Sequence, residues 1–104
     1  MARKHISPVH PGAYLKELMD ELTLSQSRVA RDIGVPAKRI CYVVNGKRPV
    51  NAELALRLGR YFGQAPRYWL NLQNRYDLDI AEDTLADKIE KQVQPLSFAG
   101  QLPQ

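Results

Sequence analysis

Lys38, Arg39, Lys47 and Arg48 place four cations within eleven residues, with Tyr42 and Asn45 between them. Lysine can donate to guanine O6 and N7, and a tyrosine offers its ring edge to a thymine methyl and its hydroxyl to a base or a phosphate. Asn45, Lys47 and Arg48 suit phosphate oxygens, and each phosphate neutralised adds about −0.9 to the log–log salt slope of duplex binding. Upstream, Ser25 and Gln26 bring a hydroxyl and an amide to what reads as a helix start, where unpaired N–H groups can hold a further phosphate. Plainer alternatives exist. Lys38 and Arg39 can be a solvated face, and Ser25 can be only a helix cap, although the same N–H groups can serve both tasks.

That chemistry needs a helix with one outward face. Residues 24–48 read LSQSRVARDIGVPAKRICYVVNGKR, two short apolar-periodic segments around a Gly34-Val35-Pro36 turn with an Asn45-Gly46 stop. This is the pattern of a helix-turn-helix, whose second helix lies in the major groove. Ser25 caps the first segment, whose inward residues are Val29, Ala30 and Ile33, and Gly34 ends it in a conformation that costs little only for glycine. In the second segment Ile40, Val43 and Val44 belong to the core, which leaves Ala37, Lys38, Arg39, Cys41, Tyr42 and Asn45 outside.

The flanks complete an all-α domain. His10-Pro11-Gly12 opens a first helix with Leu15, Leu18, Met19 and Leu22 on its buried face. Asn51 caps a fourth helix, with Leu54, Ala55, Leu58, Tyr61 and Phe62 inward and Gly63 as its stop. Pro66 begins a fifth helix carrying Trp69, Leu72 and Tyr76. Asp79 and Glu82, three apart, then resemble a capping box, which predicts an additional C-terminal helix over about 80–93 with Leu85, Ile89 and Val93 spaced by four. The expected fold is a five-helix domain plus that helix: a flexible arm over 1–9, one domain over 10–94, and a loose tail over 95–104. Trp69 and its neighbours at helical spacing read as core plus dimer interface rather than as a base-stacking platform.

Composition narrows the function. Residues 1–76 hold 13 Lys/Arg against 5 Asp/Glu, a net of +8, and residues 77–104 hold 2 Lys against 6 Asp/Glu, a net of −4. A basic body fits a polyanion, and the acidic end fits a basic protein. No apolar run approaches the ~18 residues of a membrane span, and MARKHISPVHPG lacks the apolar stretch of a secretory signal. A single cysteine, Cys41, makes no internal disulfide, so a cytoplasmic protein is expected. Cys41 itself reads as a small residue at the outward face, with a redox-sensor role as the alternative. His5 and His10 lie far from Cys41 in sequence, and no hydroxyl has a His–acid pair spaced around it. No glycine-rich phosphate loop occurs. Neither an enzyme nor a metal or cofactor site is expected.

LSQSRVARDIGV followed by NGKR resembles the lambda-repressor-like (Xre) helix-turn-helix family. His10-Pro11-Gly12, Val44-Asn45-Gly46-Lys47-Arg48, Ala55-Leu56-Arg57-Leu58, Tyr68-Trp69-Leu70-Asn71-Leu72-Gln73 and Tyr76-Asp77-Leu78 narrow the likeness to the HigA antitoxins, over about residues 8–95. The resemblance implies an antitoxin that binds a RelE-like mRNA endonuclease of HigB type and dimerises on operator DNA to repress its own operon. A stand-alone Xre-family regulator without a toxin is the alternative. The family pattern places Ala37, Lys38 and Tyr42 at base edges and Gln26 on a phosphate while bracing the recognition helix; Arg39 is open between base and phosphate. Arg, Asn and an acidic residue are common in the family where Ala37, Cys41 and Tyr42 stand here, which changes the operator read rather than the ability to bind DNA. One recognition helix buries little surface, so two of them ~34 Å apart on a palindrome are expected. The two-fold interface is expected around Trp69, Leu72 and Leu85, and the toxin contact at Glu82, Asp83 and Asp87.

Overall fold

The computed structural model describes residues 8–97. Arg3 and Lys4 of the expected arm, and the last seven residues of the expected tail, lie outside them. Five helices follow in order: α1 Pro11–Glu21, α2 Gln26–Ile33, α3 Ala37–Val44, α4 Ala52–Phe62 and α5 Pro66–Gln92. No strand occurs among the described residues. The helix starts follow local capping chemistry. Ser25 Oγ accepts from Arg28 N–H at 3.0 Å, and Asn51 Oδ1 from Leu54 N–H at 2.9 Å. Each satisfies one of the donors that a helix start leaves unpaired.

The apolar faces converge on one core of Leu15, Met19, Val29, Ala30, Ile33, Ile40, Val43, Val50, Leu54, Ala55, Leu58 and Trp69. Trp69 is fully enclosed. Its indole N–H donates to Gln64 Oε1 at 2.8 Å, and Gln64 Nε2 donates to the Tyr14 hydroxyl at 2.8 Å. The large apolar ring is therefore buried with its one polar atom satisfied, as the interior requires. The expected role of Trp69 in a dimer interface is thereby corrected, since no part of the ring reaches the surface to meet a partner.

Two other expectations change. Leu22 continues the periodicity of α1 but is 55% exposed. The helix closes at Glu21, and Thr23 takes a positive φ of 55°. The chain thus turns away before Leu22 can be folded in, and Leu24 packs against the core edge instead. The separate C-terminal helix is also absent: α5 runs unbroken for 27 residues through Asp79. Between Pro66 and Pro95 there is no glycine or proline to stop it. Acids three apart sit as well inside a helix as at its start. Gln73 Nε2 bonds Asp77 Oδ1 at 2.9 Å, and Thr84 Oγ1 bonds the Ile80 carbonyl at 2.9 Å, both within the continuous helix. Every residue over 82–97 is exposed, so the last turns of α5 stand off the core. None of the described helices is long and apolar enough to cross a membrane.

Candidate nucleic-acid interface

Helices α2 and α3 meet through a tight turn. Gly34 adopts φ 79°, and the N–H groups of Gly34 and Val35 both reach the Ala30 carbonyl at 2.9 Å. Arg57 closes the end of α2 from α4, donating Nη1–H to the Ile33 carbonyl at 2.8 Å while its other nitrogen pairs with Glu53 at 3.0 Å. A cation on a helix C-terminus is favourably placed against the helix dipole. Tyr61 of α4 adds a second tie, its hydroxyl donating to Asp32 Oδ2 at 2.7 Å. That bond holds Asp32 below the ordinary carboxylate range and pushes the Tyr61 hydroxyl up. The orientation of α2 on α4 is thus set by polar contacts around the rim as well as by the core.

With α2 fixed, α3 is anchored by Ile40 and Val43, both fully buried. The outward side then divides into rows. Lys38 and Tyr42, four apart, share one row. Ala37 and Lys38 are exposed, and Tyr42 is partly so. The Arg48 guanidinium lies over the Tyr42 ring, 5.4 Å from its centroid. This contact brings a cation from the following turn onto the same face as Lys38. Cys41 and Asn45 form a second row, joined by a 3.4 Å contact from Asn45 Nδ2 to Cys41 Sγ.

Arg39, open between a base edge and a phosphate, stands off the row of Lys38 and Tyr42. Its Nη2 donates to Asn51 Oδ1 at 3.1 Å, and its Nη1 stands 3.8 Å from Glu53 Oε1. The guanidinium is spread over the first turn of α4 and is not aligned with Lys38 and Tyr42. Of the two roles left open for Arg39, this placement favours the backbone of a nucleic acid rather than a base edge. Ser25 serves as the cap of α2, and the exposed hydroxyl keeps a proton to donate outward. Gln26 is the first residue of that helix and is half-buried. Lys47 and Arg48 are both exposed just beyond α3. The face therefore carries Lys38, Tyr42 and Arg48 together, with Lys47 exposed in the turn beside Arg48.

The other expected site residues lie elsewhere. Leu72 is half-buried on α5, and Leu85 is 41% exposed on its outer half. Glu82, Asp83 and Asp87 sit on that same outer half, all exposed. Several residues important to the face gave no sequence signal of their own. Gln73, buried on α5, accepts the Val50 N–H at 2.8 Å and so fixes the loop between α3 and α4 from 23 residues away. Arg57 and Asn51 were legible as helix residues, but not as partners of α2 and of Arg39. Only an unexpected polar residue on the inward stripe of α5, at Gln73, marks the first of these.

The helix-turn-helix family profile matches residues 15–69. Among solved structures, an addiction module antidote protein of the HigA family from Coxiella burnetii superposes with a TM-score of 0.82 at 39% identity, over 88% of this chain and 100% of that one. The antitoxin HigA of Pseudomonas aeruginosa, solved with the higBA promoter, gives a TM-score of 0.83 at 36% identity, over 86% of this chain and 99% of that one. Virulence-associated protein I of Dichelobacter nodosus is 38% identical over 81 residues, which is 77% of this chain and 75% of the relative.

Proposed function

The chain belongs to the helix-turn-helix family, among its HigA-type antitoxins, and from that premise we propose that it binds operator DNA as a dimer, represses its own operon and neutralises a RelE-like toxin of HigB type in the cytoplasm. One observation carries the DNA half. Lys38 and Tyr42 share the outward row of a helix whose other side is locked into the core, and Arg48 of the following turn lies over Tyr42, next to the exposed Lys47. Lys38 and Tyr42 read base edges, with Ala37 as an apolar contact. Ser25, Gln26, Asn45, Lys47 and Arg48 hold phosphates, with the Arg39 guanidinium alongside, over the start of α4. The P. aeruginosa relative solved with its promoter supports this assignment.

The test is operator binding by Lys38→Ala and Tyr42→Ala. The operator is taken from the DNA upstream of the gene. Loss of a specific base contact costs about 1–3 kcal/mol. Each variant is therefore expected to lose specific affinity while keeping its binding to unrelated duplex. Equal operator affinity for both variants and wild type would remove α3 as the reading helix.

The outer half of α5 supports the remaining parts. A solvent-exposed helical extension of this kind is marginal on its own in water. This one exposes Leu78, Leu85 and Ile89 together with Glu82, Asp83 and Asp87. The apolar positions, with Leu72 nearer the core, supply the two-fold contact; the acids supply the contact with a basic nuclease. Charge reversal at Glu82, Asp83 and Asp87 is expected to weaken toxin capture by at least tenfold and to spare operator binding. This is read by co-purification with the product of the neighbouring reading frame and by growth rescue. A toxin affinity untouched by the reversal would place the toxin elsewhere. Absence of any toxin-like neighbour would favour the stand-alone regulator.

A further inference from the structure

His10-Pro11-Gly12 opens α1, far from the outward row of α3 in sequence, yet Gly12 meets the end of α3 and His10 the turn beyond it. A Cβ on Gly12 would run into the Val43 carbonyl, so only glycine lets the first turn of α1 meet the last turn of α3 backbone to backbone. Pro11 is buried beside it. His10 reaches furthest. Its Nδ1 accepts the Gly12 N–H at 2.9 Å, which puts the proton of the neutral ring on Nε2. The Arg48 backbone lies close enough to the ring to raise its pKa. It lies over Gly46, where an added Cβ would stand 3.8 Å from the imidazole Cγ. It meets the Tyr76 ring edge-on, with centroids 4.9 Å apart at 75°. One imidazole therefore touches α1, the turn after α3, and α5.

We propose that His10 is a positioning residue for DNA binding, a two-ended strut that fixes the phosphate-holding turn Asn45 to Arg48 against α1 and α5. The proposal rests on the DNA-binding reading above. The turn is already tied to α3 by its donors: Gly46 N–H reaches the Val43 carbonyl at 3.0 Å, and Lys47 N–H reaches the Tyr42 carbonyl at 2.8 Å. His10 supplies the opposite support, its ring packed against the turn at Gly46 and backed by Tyr76 of α5. A turn held at both sides presents Lys47 and Arg48 without having to be ordered when DNA arrives, and pre-organisation of that kind raises affinity without adding a contact.

The strut works only with a neutral ring, because a proton on Nδ1 would face the Gly12 N–H. The groups facing the ring are Asp77 and Tyr76 from α5 and Arg48 from the turn. Burial is the largest influence and lowers the pKa below the ordinary 6.5, against the opposing pull of Asp77 and of the Arg48 backbone. A lowered histidine pKa contributes stability in full above the unfolded value. That stability is lost as pH falls from there through the folded value, so the strut is intact at neutral pH.

His10→Asn separates the strut from the cap. Asparagine is a good helix cap but is too short to cover Gly46 and meet Tyr76 as well. In the full chain at neutral pH, His10→Asn is expected to melt close to wild type, to bind the operator about tenfold more weakly, and to show a salt slope shallower by about one. Amide exchange in the free protein gives a second readout independent of folding yield. Lys47 and Arg48 N–H groups should exchange faster in the variant, while Ile40 and Leu54 keep their protection. Wild-type affinity, slope and exchange in His10→Asn would reduce His10 to a helix cap and overturn the proposal. Failure of the wild type itself to bind operator would overturn the DNA reading, and the strut with it.

Discussion

Trp69→Ala is expected to cost about 3–5 kcal/mol of folding stability, the range for removing a fully enclosed aromatic ring. The ring contacts Tyr14 at 5.2 Å and Phe62 at 6.3 Å between centroids, and its N–H is the anchor for Gln64. Truncation leaves a cavity between α1, α4 and α5 and strips Gln64 of a partner. A domain of this size has only about 5–15 kcal/mol in total, so the variant should be partly unfolded at 37 °C. Urea denaturation at matched protein concentration measures the loss. Comparison at matched concentration matters because the proposed dimer would add its own concentration-dependent stability. A loss under about 1 kcal/mol, or one that appears only on dilution, would return Trp69 to an intersubunit role.

Lys47→Ala combined with Arg48→Ala is expected to leave folding almost untouched and to weaken operator binding by orders of magnitude at physiological salt. Both side chains are exposed, and surface substitutions of this kind are usually within about 0.5 kcal/mol of neutral. Each phosphate contact contributes about 0.9 to the salt slope, so losing two per protomer removes about 1.8, or about 3.6 for a dimer. Arg48 adds a second effect, since its guanidinium covers the Tyr42 ring. Removing it frees the tyrosine to move and should blur the base preference at the position that Tyr42 reads. Titrations of operator and of unrelated duplex at several salt concentrations separate the two effects. An unchanged slope would show that the turn after α3 does not face the DNA backbone.

The outer half of α5 is where we propose both the two-fold contact and the toxin contact, in one short stretch. Apolar and acidic residues alternate there on a helix with little support from the core. A second copy and a toxin would therefore engage neighbouring surfaces of the same element, and occupancy of one can alter the other. This follows from the continuity of α5, which a break near Asp79 would have removed.

Much of this architecture was legible without coordinates, because it is written in local chemistry. Ser25 and Asn51 cap the helices they precede, Gly34 and Gly63 end helices in left-handed conformations, and Pro66 opens α5. Each of those choices is made among residues within one turn of one another. The inward faces followed from 3.6-residue periodicity, and with them the outward row of Lys38 and Tyr42. What periodicity could not supply was the reach of one element into another. Trp69 reads as core and interface at once until α1 and α4 are seen to close over it. Arg39 reads as a free cation until Asn51 and Glu53 are beside it. His10 reads as a helix start until the turn at Arg48 comes under its ring. Gln73 and Val50 are 23 residues apart, and Gln64 and Tyr14 are 50 apart. Pairings over such separations are chosen by how whole helices pack, after local propensity has already been spent on forming them. The sequence by itself therefore determined the first four helices, the start of α5, the caps at Ser25 and Asn51 and the outward row of α3, and the tertiary structure alone decided that α5 runs on unbroken and which polar side chains hold that row in place.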